Sequence, residues 1–479
     1  MVAGTLQLFS DSDLSRLQNS TYSILEKTGL RVYNDCFLDS LESAGALVQK
    51  SKTLVKFPPQ MVDDFVSEQR KSNWQPEREE KLPEGKQRFE LSGVIAPFTY
   101  DYDLKSRRLP LKKDLCEIIH WADMDLDPNG TVGLAVTLSD EDPRIEPIAA
   151  YRLLLEHSYR PGDAYVLNTD QIPYLVELAT VFYGRPVFPR GTDFVTAPLT
   201  FDQRLAEYTL AAIRFGKKHF NFGSMPICGS NSPMTLAGTV ALGAAELIGA
   251  ALIVRSLLPD ATFSFGCCNG YTDMRTVSAN FNSPEALLTD LGVVELMNRR
   301  FGGHASVAAG SDYIDAHLPG IQAAYERVFR AMAISAFTGK AFRLGGQGTL
   351  GAGQIFSPVQ FILERDLSAG LWRLGQGIAV DDENLALDVI AKIGPGERGF
   401  YLDSDHTRKH YRQCVFSQFL HRGAYDGDEV ELARDRRMLE AANQHYKDAI
   451  ARYTPPLVDP IKLKEMESIV DRARKDLQR

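Results

Sequence analysis

The sequence predicts an α/β protein built as a TIM-type (β/α)8 barrel, with an N-terminal helical extension and a C-terminal helical tail. Three observations lead there. From about residue 114, short β-prone runs alternate regularly with amphipathic segments. Seven strands are expected, over 131–136, 164–168, 193–197, 220–225, 262–267, 305–309 and 340–345, at spacings of roughly 25 to 45 residues that suit a barrel. Within this series, 219–269 reads as strand, Gly/Ser/Pro-rich loop, long apolar helix (234–258) and strand, a βαβ unit that builds parallel sheet. No Gly-rich dinucleotide fingerprint follows the first strands, which argues against an open Rossmann sheet.

The elements follow in chain order. Ser10 or Asp11 caps a first helix whose Leu14, Leu17, Ile24 and Leu25 share one face, and Gly29 ends it. A second helix spans 34–44 and is closed by Gly45. A short strand over 54–57 precedes a third helix that starts at Pro58-Pro59 and runs through Glu68. This helical part looks separate from the rest, and the charged, Pro-bearing stretch 72–88 reads as a linker. Residues 89–113, around Pro97 and Pro110, suggest a β-hairpin that closes one end of the larger domain. Barrel helices are expected over 145–157, 171–183, 201–217, 284–300 and 321–337. The eighth strand is sought either in 92–100 or after a helix over 359–374. The expected division is therefore 1–88 extension and linker, 89–430 barrel, and 431–479 tail.

The helix over 236–254 carries Glu246 as its single charge and is long enough to span a bilayer. Its position between two strands, and Gly238, Gly243 and Gly249 among many alanines, instead predict a helix packed tightly against the barrel or a neighbouring subunit. A homo-oligomer contact at this helix is therefore an expectation.

Composition narrows the function. With 44% hydrophobic and 24% charged residues the 479-residue chain has a globular profile and can bury a large core. Its net charge of -9 gives no electrostatic reason to bind nucleic acid or an anionic membrane. Six cysteines, with only Cys267 and Cys268 adjacent, suggest neither a disulfide framework nor a zinc set. The first residues lack a secretory pattern, and a cytoplasmic location is expected.

In a barrel the chemistry sits where strands give way to loops. The strand ends supply Asn168, Thr196, Asn269, Tyr271, Asp312, Tyr313, Gln347 and, nearby, Phe356 as candidate substrate-binding residues. The set is polar and weakly charged, with no helical His pair, no carboxylate dyad and no Lys at a strand C-terminus; Lys340 opens its strand at the wrong end for a Schiff base. Each candidate has a plain structural reading as well. Asp312 serves as a helix cap or a substrate contact; Tyr271, Tyr313 and Phe356 present ring faces to a cation or simply pack. Cys267 and Cys268 are core residues or a thiolate, and the glycines over 344–353 form a flexible loop or a phosphate cradle. His406 reads as structural without a second ligand, and Glu326 as a packing or ion-pair partner.

The order of several segments resembles the trimethylamine methyltransferase family, in its branch without pyrrolysine, which includes glycine betaine:corrinoid methyltransferase. The likeness is carried by LSRLQNSTYSILEKTGLRVYNDCFLDSLESAGALV, NSPMTLAGTVALGAAELIGAALI, GSDYIDAHLPGIQAAYE, the more specific GIAVDDENLALDVIAKIGPGERGFYLDSDHTRKHYR, and the tail RYTPPLVDPIKLKEMESIVDRARK. Tyr425 stands about where a tryptophan is expected, and the loop FGCCNGYTDMRTVSANFNSP is individual to this chain; both bear on substrate more than on fold.

The resemblance implies a barrel that demethylates a quaternary ammonium compound, glycine betaine-like, and passes the methyl group to Co(I) of a corrinoid. Every residue is a standard one, which disfavours trimethylamine. The chain also lacks the Asp-x-His-x-x-Gly cobalt-ligating signature, which Asp405-His406-Thr407-Arg408 does not match, so the corrinoid is expected on a partner protein docked at the C-terminal mouth. Two other classes remain open: a different barrel enzyme, a lyase or hydrolase using Asp312 or Cys267, and a non-catalytic quaternary-ammonium-binding protein.

Overall fold

The computed structural model describes residues 6–71, 91, 95–126, 130–191, 193–307, 313–339, 344–395, 400–411, 417, 419–420 and 425–478. It is a mixed α/β structure, and among the described residues its strands fall into four small sheets.

The central sheet is wholly parallel, in the order Ala305–Val307, Thr262–Cys267, His219–Ser224, Phe194–Val195. Alternation fixes its faces. Phe220, Phe222, Phe263 and Phe265 are buried on one side against the helices. Of the other expected strands, those over 131–136 and 164–168 are single parallel bridges, Val132 to Leu91 and Pro161, Val136 to Ala96, and Tyr165 to Arg190. The expected strand over 340–345 lies mostly outside the described residues. The hairpin near residue 100 pairs Phe98–Asp101 with Ser106–Arg108, and Phe98–Asp101 also runs parallel to Ile355–Phe356. Both regions considered for an eighth strand, 92–100 and the stretch around the helix Pro358–Gln376, thus lie at one sheet, but the second strand precedes that helix instead of following it.

Helix Leu236–Leu257 is buried from Thr239 to Val254. The sheet covers one side. The N-terminal segment covers the other, through helices Asp11–Ser23, Asp35–Ser43 and Pro59–Lys71. The N-terminal part is therefore not separate: Leu14, Leu30, Phe37 and Phe65 share one core with Phe222 and Ile248, and strand Leu30–Val32 runs parallel to Thr200–Phe201. This overturns the reading of the glycine-rich helix as a subunit contact. A Cβ at Gly249 would lie 2.6 Å from Leu30 Cδ2, and one at Gly243 3.3 Å from both Ser224 Oγ and Val293 Cγ2. The small residues are there to let this chain's own neighbours approach.

A second core holds the other half of the molecule. Helices Lys112–Asp125, Glu146–His157 and Ile172–Tyr183 bury Trp121, Tyr151 and Leu175, and the tail helices Arg434–Arg452 and Pro460–Leu477 close over them with Ala442, Met466 and Val470.

Replacing Gly249 by Val forces branched carbons into Leu30; a loss of about 1–3 kcal/mol is expected for such overpacking and is measurable by urea unfolding.

Candidate functional site

The last residues of strand Thr262–Cys267 lead into a wall that extends the sheet. Gly270–Asp273 pairs in parallel with Ile227–Cys228 and antiparallel with Ser278–Asn280. Behind it stands a fully buried ion pair, Arg330 Nη2 to Asp290 Oδ2 at 2.9 Å. Asp290 comes from helix Pro284–Arg300 and Arg330 from Ile321–Thr338. Burial pushes the Asp290 carboxyl up to about 6, against the opposing pull of Arg330.

This pair organises its surroundings. Asp290 Oδ1 accepts the Asn269 backbone N–H at 2.6 Å, and Arg330 Nη1 donates to the Phe281 carbonyl at 2.7 Å. Asp315 then accepts the Phe281 and Asn282 N–H groups at 3.0 and 3.1 Å. Glu326 Oε2 accepts those of Asp315 and Ala316 at 2.8 and 3.0 Å. Glu326 is thus a backbone clamp for the loop before its helix. Next to it a second buried pair, Arg327 to Glu364 at 3.1 Å, accepts the Gly348 N–H on Glu364 at 2.7 Å. Gly348 has φ +78, which suits a residue without a Cβ.

Two amides beside the first pair carry unbonded atoms. Asn269 is fully buried, and neither its Oδ1 nor its Nδ2 has a hydrogen-bond partner; Asn282 Oδ1 and Thr272 Oγ1 are in the same state. Leaving a buried polar atom unmade costs about 1–3 kcal/mol, so such atoms in one neighbourhood mark a place prepared for something else to bond. Beside them the Phe281 and Tyr313 rings meet at 5.3 Å and 42°.

The expected residues therefore divide. Asn269, Tyr271 and Tyr313 are brought to this wall, Tyr271 half-buried in its middle strand. Gln347 is buried in the neighbouring loop beside Gly348. Asn168 is exposed and starts the turn Thr169–Gln171, its backbone N–H bonded to Gln171 Oε1 at 3.1 Å. Thr196 is exposed, with its hydroxyl on Asp202 at 2.7 Å, at the cap of helix Gln203–Arg214. Phe356 is core, packed on Phe361. Asp312 lies outside the described residues. Cys267 donates to the Asp290 carbonyl at 3.2 Å, and burial drives its thiol well above the usual range, which opposes a thiolate nucleophile.

A polar surface escaped the strand-end reading. On the face opposite the four phenylalanines stand His219, Asn221, Thr262, Ser264 and Ser306, where a filled barrel carries branched apolar residues. His219 contacts the Thr262 and Ser264 hydroxyls at 3.0 and 3.1 Å, and Ser264 donates to Asn221 at 2.9 Å. Burial pushes His219 down to about 4, so it is neutral at pH 7. The signal was legible as the alternation His-Phe-Asn-Phe and Thr-Phe-Ser-Phe. A further cavity of about 450 Å³ opens among Leu91, Gly133, Gly162, Tyr165 and Arg190.

Glu246 stands under the site from the buried helix. It accepts Ser224 Oγ at 2.6 Å and the Leu199 N–H at 2.9 Å, and burial raises its carboxyl to about 7. Among the described residues no group of three His, Cys, Asp or Glu side chains could hold a metal ion.

The molecule is thus an α/β protein whose site offers neutral amides, hydroxyls and ring faces backed by fixed, paired charges. Comparison with known proteins agrees with that class. A model of the trimethylamine methyltransferase (MTTB) family matches residues 2–478. The chain is 25% identical over 463 residues to a glycine betaine methyltransferase of Desulfitobacterium hafniense strain Y51, covering 95% of this chain and 94% of that protein. It is 26% identical over 472 residues to a trimethylamine methyltransferase MttB of Desulfitobacterium hafniense strain DCB-2, with 95% and 91% covered. With the MttB2 protein of Methanosarcina mazei it shares 24% over 492 residues, with 98% and 95% covered. The chain belongs to the trimethylamine methyltransferase family and is a methyltransferase.

Two outcomes are expected. Arg330→Met leaves Asp290 buried without its partner and should cost about 3–5 kcal/mol in unfolding, most of it recovered when Asp290 is also made apolar. Glu246 holds a proton in the native state up to about pH 7, whereas the unfolded chain releases it near 4.5. Its contribution to stability is therefore full below pH 4.5 and is lost as pH rises to 7, on the order of 3 kcal/mol in all. Glu246→Gln should flatten that limb of a stability profile taken from pH 4.5 to 8.

Proposed function

We propose that this chain demethylates a quaternary ammonium compound, glycine betaine-like, and transfers the methyl group to Co(I) of a corrinoid carried by a separate protein. The observation that carries the reading is the family match over residues 2–478, joined to a site of unpaired amides beside two rings. A quaternary nitrogen already bears the charge that lets a neutral amine leave. The methyl carbon passes from nitrogen to cobalt, the nitrogen keeps the bonding pair, and no proton donor is needed. What the protein must supply is position and exclusion of water. Phe281 and Tyr313 offer ring faces to the cation, and Asn269 and Asn282 offer amides to an oxygen function at the other end.

The same proposal joins the parallel segments into one barrel. Bridges and strands link, in chain order, 91 with 95–101, 132–136, 161–165, 190 with 194–195, 219–224, 262–267 and 305–307, and Ile355–Phe356 returns beside Phe98–Asp101. The corrinoid protein docks at the C-terminal mouth. The relative named for glycine betaine favours a betaine over trimethylamine.

Purified protein with cob(I)alamin and a panel of quaternary amines should yield methylcobalamin, seen by absorbance, and the demethylated amine, seen by mass. No methylcobalamin with any substrate, even with a corrinoid protein added, would reject the reading. Asn269→Leu removes a buried amide that has no partner in the fold. It should leave stability unchanged or higher yet lower kcat/KM about tenfold or more, because the lost bond is one to substrate.

A further inference from the structure

The buried charges behind the wall are settled by pairing: Asp290 is matched by Arg330, and Glu364 by Arg327. Two neighbouring carboxylates are not matched. Asp315 accepts only backbone, the Phe281 N–H on Oδ1 at 3.0 Å and the Asn282 N–H on Oδ2 at 3.1 Å. Glu326 accepts the Asp315 and Ala316 N–H groups on Oε2 and the Gln322 amide on Oε1 at 2.7 Å. Among the described residues neither meets a Lys, Arg or His side chain in an ion pair, so the neighbourhood keeps an excess of two negative charges. Burial raises the Asp315 carboxyl and the Glu326 charge raises it further, against the pull of the two N–H groups and of Arg330.

What stands beside this charge suits a cation. Asp315 is fastened to the backbone of Phe281, whose ring meets that of Tyr313, and Tyr313 lies just before Asp315 in the chain. A quaternary ammonium has no N–H to donate, so ring faces and fixed negative charge are what a protein has to hold it with. Two acidic side chains alone would be an ordinary feature. Here Asn282, 8% exposed and joined to Asp315 through its N–H, leaves Oδ1 without a partner, and fully buried Asn269 leaves both amide atoms so. Those unmade bonds point to a ligand at the same place.

We propose that Asp315, reinforced by Glu326, is the counter-ion of the substrate's quaternary nitrogen and makes the site select a permanent cation over a neutral group of the same shape. This rests on the demethylation reading of the site. It also gives the residue a definite place in the energetics. The nitrogen is fully positive in the bound substrate and loses that charge as the methyl carbon leaves it, so a carboxylate nearby stabilises bound substrate more than transition state. Asp315 therefore serves recognition, and its contribution falls on KM.

The test measures binding first, by calorimetry on the full-length protein without cobalamin. Glycine betaine is compared with tert-butylacetate, and choline with neohexyl alcohol, each isostere carrying a carbon in place of the nitrogen. Wild type should favour at least one cation over its isostere about tenfold or more, and Asp315→Asn should remove that preference by weakening the cation alone. Glu326→Gln, whose amide oxygen still accepts both N–H groups, should act in the same direction by less, and it keeps the proposal testable if the first variant unfolds. With cob(I)alamin the loss should appear in KM. Equal weakening of cation and isostere makes Asp315 a structural clamp and overturns the proposal, as does a wild type that binds neither cation or does not tell it from its isostere. A loss confined to kcat also overturns it. Charge selection that depends on Asp315, without methylcobalamin from any quaternary amine, keeps the counter-ion and rejects demethylation; methylcobalamin formed by Asp315→Asn with an unaltered KM does the reverse.

Discussion

A helix that is apolar all the way round must be covered all the way round, and the architecture answers that demand for Leu236–Leu257. Strands His219–Ser224 and Thr262–Cys267 cover one side, and helices Asp11–Ser23, Asp35–Ser43 and Pro59–Lys71 cover the other. Burial at about 25 cal/mol per Å² rewards every face that is closed, so the N-terminal segment shares one core with the central sheet. Gly249 and Gly243 set how near its neighbours come. Glu246, the one charge in the buried part of this helix, survives burial because Ser224 and the Leu199 N–H donate to it and because it holds its proton to about pH 7.

The candidate site rests on a second constraint, the cost of buried charge. Arg330 and Asp290 lie on different helices and are both inaccessible to water, so they must stay paired. Their remaining hydrogen-bonding capacity is spent on backbone, on Asn269 N–H and the Phe281 carbonyl. That holds two loop segments in place and leaves the amide side chains of Asn269 and Asn282 with unbonded atoms. Strict satisfaction behind the wall and orphaned atoms within it is the pattern of a preorganised binding surface, in which fixed dipoles await a ligand and need no rearrangement when it arrives. Such a site suits methyl transfer from a quaternary nitrogen, where position matters and titration does not.

Much of this was legible in the residues. Ser10, Asn34 and Gly29 mark helix ends that the structure keeps. Helix 284–300 begins at Pro284 and ends at Arg300 as its pattern indicates, and Phe220, Phe222, Phe263 and Phe265 announce one face of the parallel sheet. Asn269 and Tyr313 were singled out because they stand at strand ends, and the structure brings both to one wall. Asn168 and Thr196 were chosen on the same ground; Asn168 opens a turn, and the Thr196 hydroxyl bonds Asp202, the cap of helix Gln203–Arg214, since a polar residue at a strand end satisfies a following turn as readily as a substrate. Phe356 looked like a ring at a pocket and is core.

What the sequence by itself determined is local: which stretches coil or extend, which face of each is apolar, and, through the order of its segments, the family to which it belongs. These follow from propensity and periodicity, which act over a few residues. The tertiary structure alone decided which polar atoms meet. Asp290 and Arg330 are 40 residues apart, Arg327 and Glu364 are 37, and Leu30 meets Gly249 across nearly half of the chain. No local pattern distinguishes a buried Arg that has found its carboxylate from one on a solvated face, or a glycine that admits its own chain from one that admits a neighbour. Only the packing of distant segments, which sets dielectric and distance together, makes that choice.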